Sequence, residues 1–393
     1  MIYFITNINS FMKNFLFLPV LCLIICSNQL YSQNTLRDYG VKIGVMKTGK
    51  NNAITDVPGV KVGHKTLISG EDIRTGVTAI VPHEGNLFRK KVPAAIFVGN
   101  GFGKLAGYTQ VKELGNIETP VVLTNTMSVA AALDALITYT LAQEGNGTIG
   151  SVNGIVGETN DGGLNDIRAR VVKPADVLEA IANAKSGIVE QGGVGAGTGT
   201  ICFGFKGGIG TSSRVLPKSL GGYTVGVLVQ TNYGGVLEVA GVPVGQMLNN
   251  YSYRNNIMQD ADGSCMIVVI TDAPLTSRNL ERVAKRAFMG LAKSGGIASN
   301  GSGDYIIAMS VAKENLLDES SEFYLPKELQ NDAVSPVFMA TIEATEEALI
   351  NSLVAAKTMK GYKGKVVEEL PKEIIKRIAS GMNLGNHSVQ IVP

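Results

Sequence analysis

Residues 261–272 read ADGSCMIVVITD and place a serine between a tight polar corner and an apolar run. Such a serine is either part of an ordinary turn or the residue exposed when a chain cuts itself. The second case carries chemistry. A serine at a new N-terminus brings its own base, because an α-amine has a pKa of roughly 7.7–8.0, far nearer working pH than a lysine amine at roughly 10.4. In the uncut chain the same nitrogen is an amide and accepts no proton. Gly263 suits a cut: without a side chain the peptide can take strained φ/ψ, and the Ser264 hydroxyl can reach the preceding carbonyl. An N-to-O acyl shift followed by hydrolysis of the ester would then free Ser264. On the dipeptide alone the turn is the commoner outcome.

The remaining inventory narrows the choice. The three histidines, His64, His83 and His387, form no H-E-x-x-H and share no metal-ligand spacing. His64 follows a glycine and His83 a proline, both loop positions where a structural role is usual. No G-x-S-x-G elbow occurs. The glycine-rich stretch QGGVGAGTGTICFGFKGGIGTSSR, 191–214, matches neither G-x-x-x-x-G-K-[ST] nor a strand-preceded G-x-G-x-x-G, and reads as tight loops around a short strand. Two thiols outside the N-terminal segment, Cys202 and Cys265, cannot make a four-ligand zinc site. A net charge of +2, with no basic cluster interleaved with aromatics, leaves no footprint for nucleic acid. The chemistry left over needs no metal, no cofactor and no histidine.

These residues need a large layered scaffold. The 393 residues are 45% hydrophobic and 17% charged, and the 47 glycines exceed the average share of roughly 7% while being spread among apolar segments. Strand-like runs recur at 77–81, 94–98, 121–124, 223–230, 266–271 and 305–310, and helical patterns at 128–143, 174–191, 277–294 and 336–358. Ser128 is placed to N-cap its helix and Pro174 to open the next. The run after Ser264 is apolar on both faces, with Ser264, Met266, Val268 and Ile270 on one and Cys265, Ile267 and Val269 on the other. It must be a central strand, Cys265 is a core residue, and helices must cover the sheets of an α/β fold on both sides.

From Met12 the chain reads MKNFLFLPVLCLIICSNQLYSQ: a lysine, an apolar run from Phe15 to Cys26 too short to span a bilayer comfortably, then a polar exit. Residues 12–33 are expected to be a signal peptide, with residues 1–11 outside it, which implies export to the periplasm. A lipid anchor on Cys26 fits less well because Ile25 is large.

Ten segments in order, NAITDVPGVKVGH (52–64), GVTAIVP (76–82), FVGNGFGKLAG (97–107), PVVLTNT (120–126), ETNDGGLNDIR (158–168), GAGTGTICFGFKGGIGTSSR (195–214), QTNYG (230–234), DGS (262–264), TDAPL (271–275) and NGSGD (300–304), resemble the self-processing aminopeptidases that include the L-aminopeptidase/D-amidase-esterases and β-peptidyl aminopeptidases. The resemblance covers residues 40–385. It implies an αββα sandwich resembling N-terminal-nucleophile hydrolases, cut between Gly263 and Ser264 into an α piece (34–263) and a β piece (264–393) that stay together, commonly as a tetramer of such pairs. Residue by residue, it implies that Ser264 is the nucleophile and that Ser302 and Asp304 orient it and its amine. Asn232 would hold the oxyanion, Glu158 would bind the substrate's ammonium group, and Asn160 would line the same pocket. Asp161, Asn165 and Asp166 would brace the loop.

The resulting expectation is release of N-terminal L-, D- or β-amino residues from short peptides, amides or esters through an acyl-Ser264 intermediate, with no cofactor. Two alternatives remain. One is acyl transfer to an amine, as in related-fold ornithine acetyltransferases, whose threonine nucleophile and cytoplasmic site differ from the serine and signal here. The other is a non-catalytic periplasmic binding protein with an intact chain.

Overall fold

All eight residues of the strand Ser264–Thr271 are buried, so both of its faces need cover. The computed structural model, which describes residues 35–254 and 263–381, supplies that cover with a second sheet on one face and helices on the other. The signal segment expected at 12–33, with Cys22 and Cys26, and also His387, lie outside the described residues.

The first sheet runs in the order β1 (Lys61–Ser69), β2 (Ile73–Val81), β6 (Val121–Asn125), β7 (Ile155–Thr159) and β4 (Leu105–Ala106). The second runs β10 (Ile209–Val215), β11 (Thr224–Asn232), β12 (Ser264–Thr271), β13 (Gly303–Ser310), β3 (Lys90–Gly101) and β14 (Leu317–Asp318), with β5 (Asn116–Ile117) beside β3. Between β7 and β10 the glycine-rich stretch folds into a small hairpin, β8 (Ile201–Cys202) and β9 (Phe205–Lys206). Two pairs are parallel, β6 with β7 and β12 with β13. A parallel pair cannot be joined by a hairpin. Each has a crossover helix instead: α2 (Val129–Leu141) and α5 (Ser277–Lys293). Shorter helices are α1 (Tyr108–Leu114), α3 (Pro174–Ala182) and α4 (Val244–Met247), and α6 (Ser335–Ala355) is the longest.

Alternation along the strands sorts side chains into three apolar layers. Met266, Val268 and Ile270 meet Ile80, Leu123 and Ile155 between the sheets. Cys265, Ile267 and Val269 face Leu280 and Ala284 of α5 and Leu349 and Ile350 of α6. Val77, Ala79 and Val122 pack on Ala132 and Leu136 of α2 and Val177 of α3. This is the expected αββα sandwich. The sheets approach so closely at Gly157 that a Cβ there would lie 2.4 Å from Met266 Cε.

Some element boundaries differ from the expectation. The helix predicted over 174–191 ends at Ala182, because the chain turns to pair Lys185 with Val62 of β1. Ser128 occupies the N-cap position of α2 without a side-chain cap hydrogen bond. Strand β10, IGTSSRV, is absent from the sequence reading because its side chains are small and polar. Its burial has another cause. Arg214, fully buried, donates through Nε to Glu343 Oε2 (3.0 Å) and through Nη2 to Glu347 Oε2 (2.7 Å) and to the Ile43 carbonyl (2.7 Å). Glu347 also accepts from Arg37 Nε (2.7 Å) and Asn52 Nδ2 (2.6 Å). Polar β10 is thus fixed to α6 across the sequence on either side of Gly263–Ser264.

Removing Arg214 leaves Glu343 buried without its cation and Glu347 with Arg37 alone. Arg214→Met is therefore expected to destabilise the protein by about 3–5 kcal/mol in chemical denaturation. A loss within about 0.5 kcal/mol, the range of ordinary surface substitutions, would contradict this account of β10.

Candidate active site

Strand register brings the candidate residues to one end of the second sheet. Ser264 opens β12, directly opposite Asn232 at the end of antiparallel β11 and Gly303 at the start of parallel β13. Ser302 immediately precedes β13, and Asp304 is paired with Cys265. Ser264, Asn232, Ser302 and Asp304 are between 1% and 7% exposed, so charge developing here meets little bulk water.

Ser264 Oγ donates to the Gly263 carbonyl at 2.6 Å, and the Gly303 N–H donates to that same oxygen at 3.1 Å. Two donors therefore share one carbonyl oxygen. The position of Gly263 is sterically confined. Space is what the position requires, since a Cβ would sit 3.0 Å from Tyr233 Cα and 3.2 Å from its Cβ.

Asn232 Oδ1 accepts the Ile201 N–H at 3.0 Å. Because only the oxygen of a side-chain amide accepts, this bond fixes the flip and leaves Nδ2 as the donor end. Asp304 lies on the opposite strand face from the Ser264 side chain, with Ile306 toward the helices. Among the described residues, neither carboxylate oxygen of Asp304 nor Ser302 Oγ makes a hydrogen bond of good geometry, although all three are buried. Burial raises the Asp304 carboxyl to about 6, opposed by the nearby Ser302 hydroxyl and Cys265 N–H. A buried carboxylate with only poorly placed donors around it favours a cationic neighbour.

Glu158 comes from the other sheet, at the end of β7, one residue beyond the Gly157–Met266 contact. It is 4% exposed and its Oε1 accepts the Lys104 N–H at 3.0 Å, with Lys104 Nζ 3.4 Å away. Gly103 has φ +147°, and a Cβ there would lie 3.0 Å from Glu158 Oε1 and 3.6 Å from the Tyr305 ring. Asn160 behaves differently: it is exposed and its Oδ1 accepts the Gly162 N–H at 2.9 Å, holding its own turn. Asp161 braces the loop as expected, accepting from Asn165 Nδ2 at 3.0 Å, and burial raises its carboxyl to about 6. His64 and His83 are tied to local partners, Thr78 Oγ1 and the Lys90 carbonyl, both at 2.9 Å.

Several positioning residues escaped the sequence reading. Asn100 Nδ2 donates to the carbonyls of Ser299 (3.0 Å), Asn300 (3.1 Å) and Ser302, and so shapes the loop that presents Ser302. The Gly303 N–H is invisible in sequence, as all backbone donors are. Lys104 and Lys206 had a signal: each is a lone cation within a glycine-rich, apolar segment.

Residues 52–367 match the model of peptidase family S58. The chain is 41% identical over 363 residues to the beta-peptidyl aminopeptidase BapA of Sphingosinicella microcystinivorans, covering 87% of this chain and 91% of that protein. Among solved structures it is similar to a Burkholderia sp. beta-aminopeptidase, with TM-score 0.81, 40% identity and coverage of 89% and 99% of the two chains. It is also similar to the L-aminopeptidase D-Ala-esterase/amidase of Ochrobactrum anthropi, described as a prototype for the serine aminopeptidases and a new variant among the Ntn hydrolase fold. There the TM-score is 0.80, the identity 35% and the coverage 88% and 97%.

The raised pKa of Asp304 has a sign for stability. An acid whose folded pKa exceeds its unfolded value binds more protons in the native state between the two. Its contribution to stability therefore falls as pH rises from about 4 to about 6, and the full penalty persists above that. In a chain kept intact by Ser264→Ala, Asp304→Asn is expected to raise Tm at about pH 7.5 and leave it unchanged at about pH 4. Equal shifts at both pH values in scanning calorimetry would contradict the buried charge.

Proposed function

Because this chain belongs to peptidase family S58 and is a serine-type aminopeptidase, a hydrolase, we propose that it cuts itself between Gly263 and Ser264 and then works through the freed N-terminal serine. The observation that carries this reading is the Ser264 hydroxyl lying 2.6 Å from the Gly263 carbonyl oxygen, beside buried acid and hydroxyl groups without well-placed partners.

In the first step Oγ attacks the Gly263 carbonyl carbon. The C–N bond breaks, an ester forms on Ser264, and its nitrogen takes the proton and becomes an amine. Water hydrolyses the ester, leaving a carboxylate on Gly263 and a free hydroxyl on Ser264. In turnover the α-amine accepts the Oγ proton as Oγ attacks the substrate carbonyl. Asp304 and Ser302 hold the ammonium so formed, and Asn232 Nδ2 faces the tetrahedral oxyanion, a donor of the kind that supplies roughly 3–4 kcal/mol. The ammonium returns its proton to the leaving amine, and water releases the acyl group from Ser264.

Glu158 selects chain ends: its second oxygen takes the substrate's ammonium, since Oε1 already accepts from Lys104. The substrates are short peptides, amides or esters with a free N-terminal residue. The relatives' names favour β-amino residues among the α-L, α-D and β classes. Export by residues 12–33, and retention of the α and β pieces in a tetramer of pairs, belong to the same proposal.

The test is a release assay with L-alanyl, D-alanyl and β-alanyl p-nitroanilides and the N-acetylated β-alanyl compound. Cleavage of the β-alanyl substrate, little or none of the acetylated one, and loss of all turnover in Ser264→Ala are expected. Turnover that survives in Ser264→Ala would overturn the nucleophile. Equal cleavage of free and acetylated substrates would overturn the role of Glu158.

A further inference from the structure

Lys206 is fully buried in the β8–β9 hairpin. Its Nζ donates to three carbonyls of the glycine-rich segment, those of Gly197 (3.0 Å), Thr200 (3.1 Å) and Gly207 (2.8 Å). An ammonium has three N–H groups and here all three are used. Burial pulls its pKa down to about 7, against which the nearby Asp161 carboxylate acts. Three acceptors facing it likewise favour the charged form.

A structural staple would account for the Gly197 and Gly207 contacts. Thr200 adds something else. Its carbonyl belongs to the same peptide unit as the Ile201 N–H, and that N–H is the group that fixes Asn232 Oδ1. A peptide is a conjugated unit. A cation on its oxygen draws electron density from its nitrogen and strengthens the N–H as a donor. The Asn232 amide is a second conjugated unit, polarised in turn through its oxygen. The chain runs from Nζ–H through O=C–N–H to Oδ1=C–Nδ2–H, and linked hydrogen bonds of this kind strengthen one another by about 10–30% per bond. No proton moves along it.

We propose that Lys206 is a positioning residue for the oxyanion site, its ammonium orienting and polarising the Asn232 amide through the Thr200–Ile201 peptide. The proposal rests on the reading of Asn232 as the oxyanion donor. It places a positive charge one peptide and one side-chain amide away from the substrate, where it adds donor strength without attracting the substrate's own carboxylate.

A double-mutant cycle on the processed enzyme, with β-alanyl p-nitroanilide as substrate and rates expressed per cleaved chain pair, tests it. Asn232→Ala is expected to lower kcat by about 10²–10³-fold. Lys206→Met should lower kcat by about tenfold with KM little changed, a smaller loss than deleting the donor outright. The double variant should be no slower than Asn232→Ala within about twofold, because Lys206 acts only through that amide. Losses that multiply, or a Lys206→Met enzyme with lowered Tm and wild-type kcat, would overturn the relay and leave a structural lysine. Wild-type kcat in Asn232→Ala would instead remove the oxyanion role itself, and the relay with it. Should Met at 206 not fold, Lys206→Gln serves in the same cycle. Independently of any variant at 206, 15N-labelled Asn232 in the wild-type chain should show side-chain amide protons downfield of the other asparagines, and overlap with them would overturn the proposal.

Discussion

One contact organises this molecule: a serine hydroxyl held against the carbonyl that precedes it, at the buried head of a central strand. In water such a contact would be fleeting and inert. Here β11 and β13 grip Ser264 from both sides, and Gly303 adds a second donor to the same oxygen. The rest of the sandwich follows from keeping that strand end in place. A strand buried on both faces demands a sheet on one side and helices on the other. Parallel pairing with β13 demands the crossover α5, and the facing first sheet brings Glu158 to the same end.

The site is built from unmet polar groups as much as from met ones. Asp304 and Ser302 are buried without well-placed partners, a costly arrangement that natural cores avoid. In the proposed processed chain an N-terminal ammonium would lie beside both. By contrast the distant Arg214 cluster is saturated with partners and ties residues before position 264 to helix α6 after it.

How much of this was legible in sequence depended on what each feature uses. The central strand and the layering were readable from Ser264–Thr271 because apolar residues on both faces have one structural meaning. The nearness of Asn232, Ser264 and Gly303 was not readable from pattern, since register is set by pairing between distant segments; only the family resemblance put Asn232, Ser302 and Asp304 together. Strand β10 escaped because its burial serves an ion cluster and not apolar packing. The steric demand on Gly263 was not readable either, because it comes from Tyr233, thirty residues away in sequence. Asn160, expected in the pocket, spends its oxygen on its own turn. Lys206 was passed over within a stretch read for its glycines, though a cation in such surroundings has to find acceptors.

The central claim is that the working enzyme begins a chain at Ser264. Mass spectrometry of purified, active protein tests it most directly. The account predicts two masses that sum to the mature chain plus one water, with the smaller piece beginning Ser-Cys-Met-Ile. A single mass in a fully active sample, with residues 263 and 264 still joined, would contradict it.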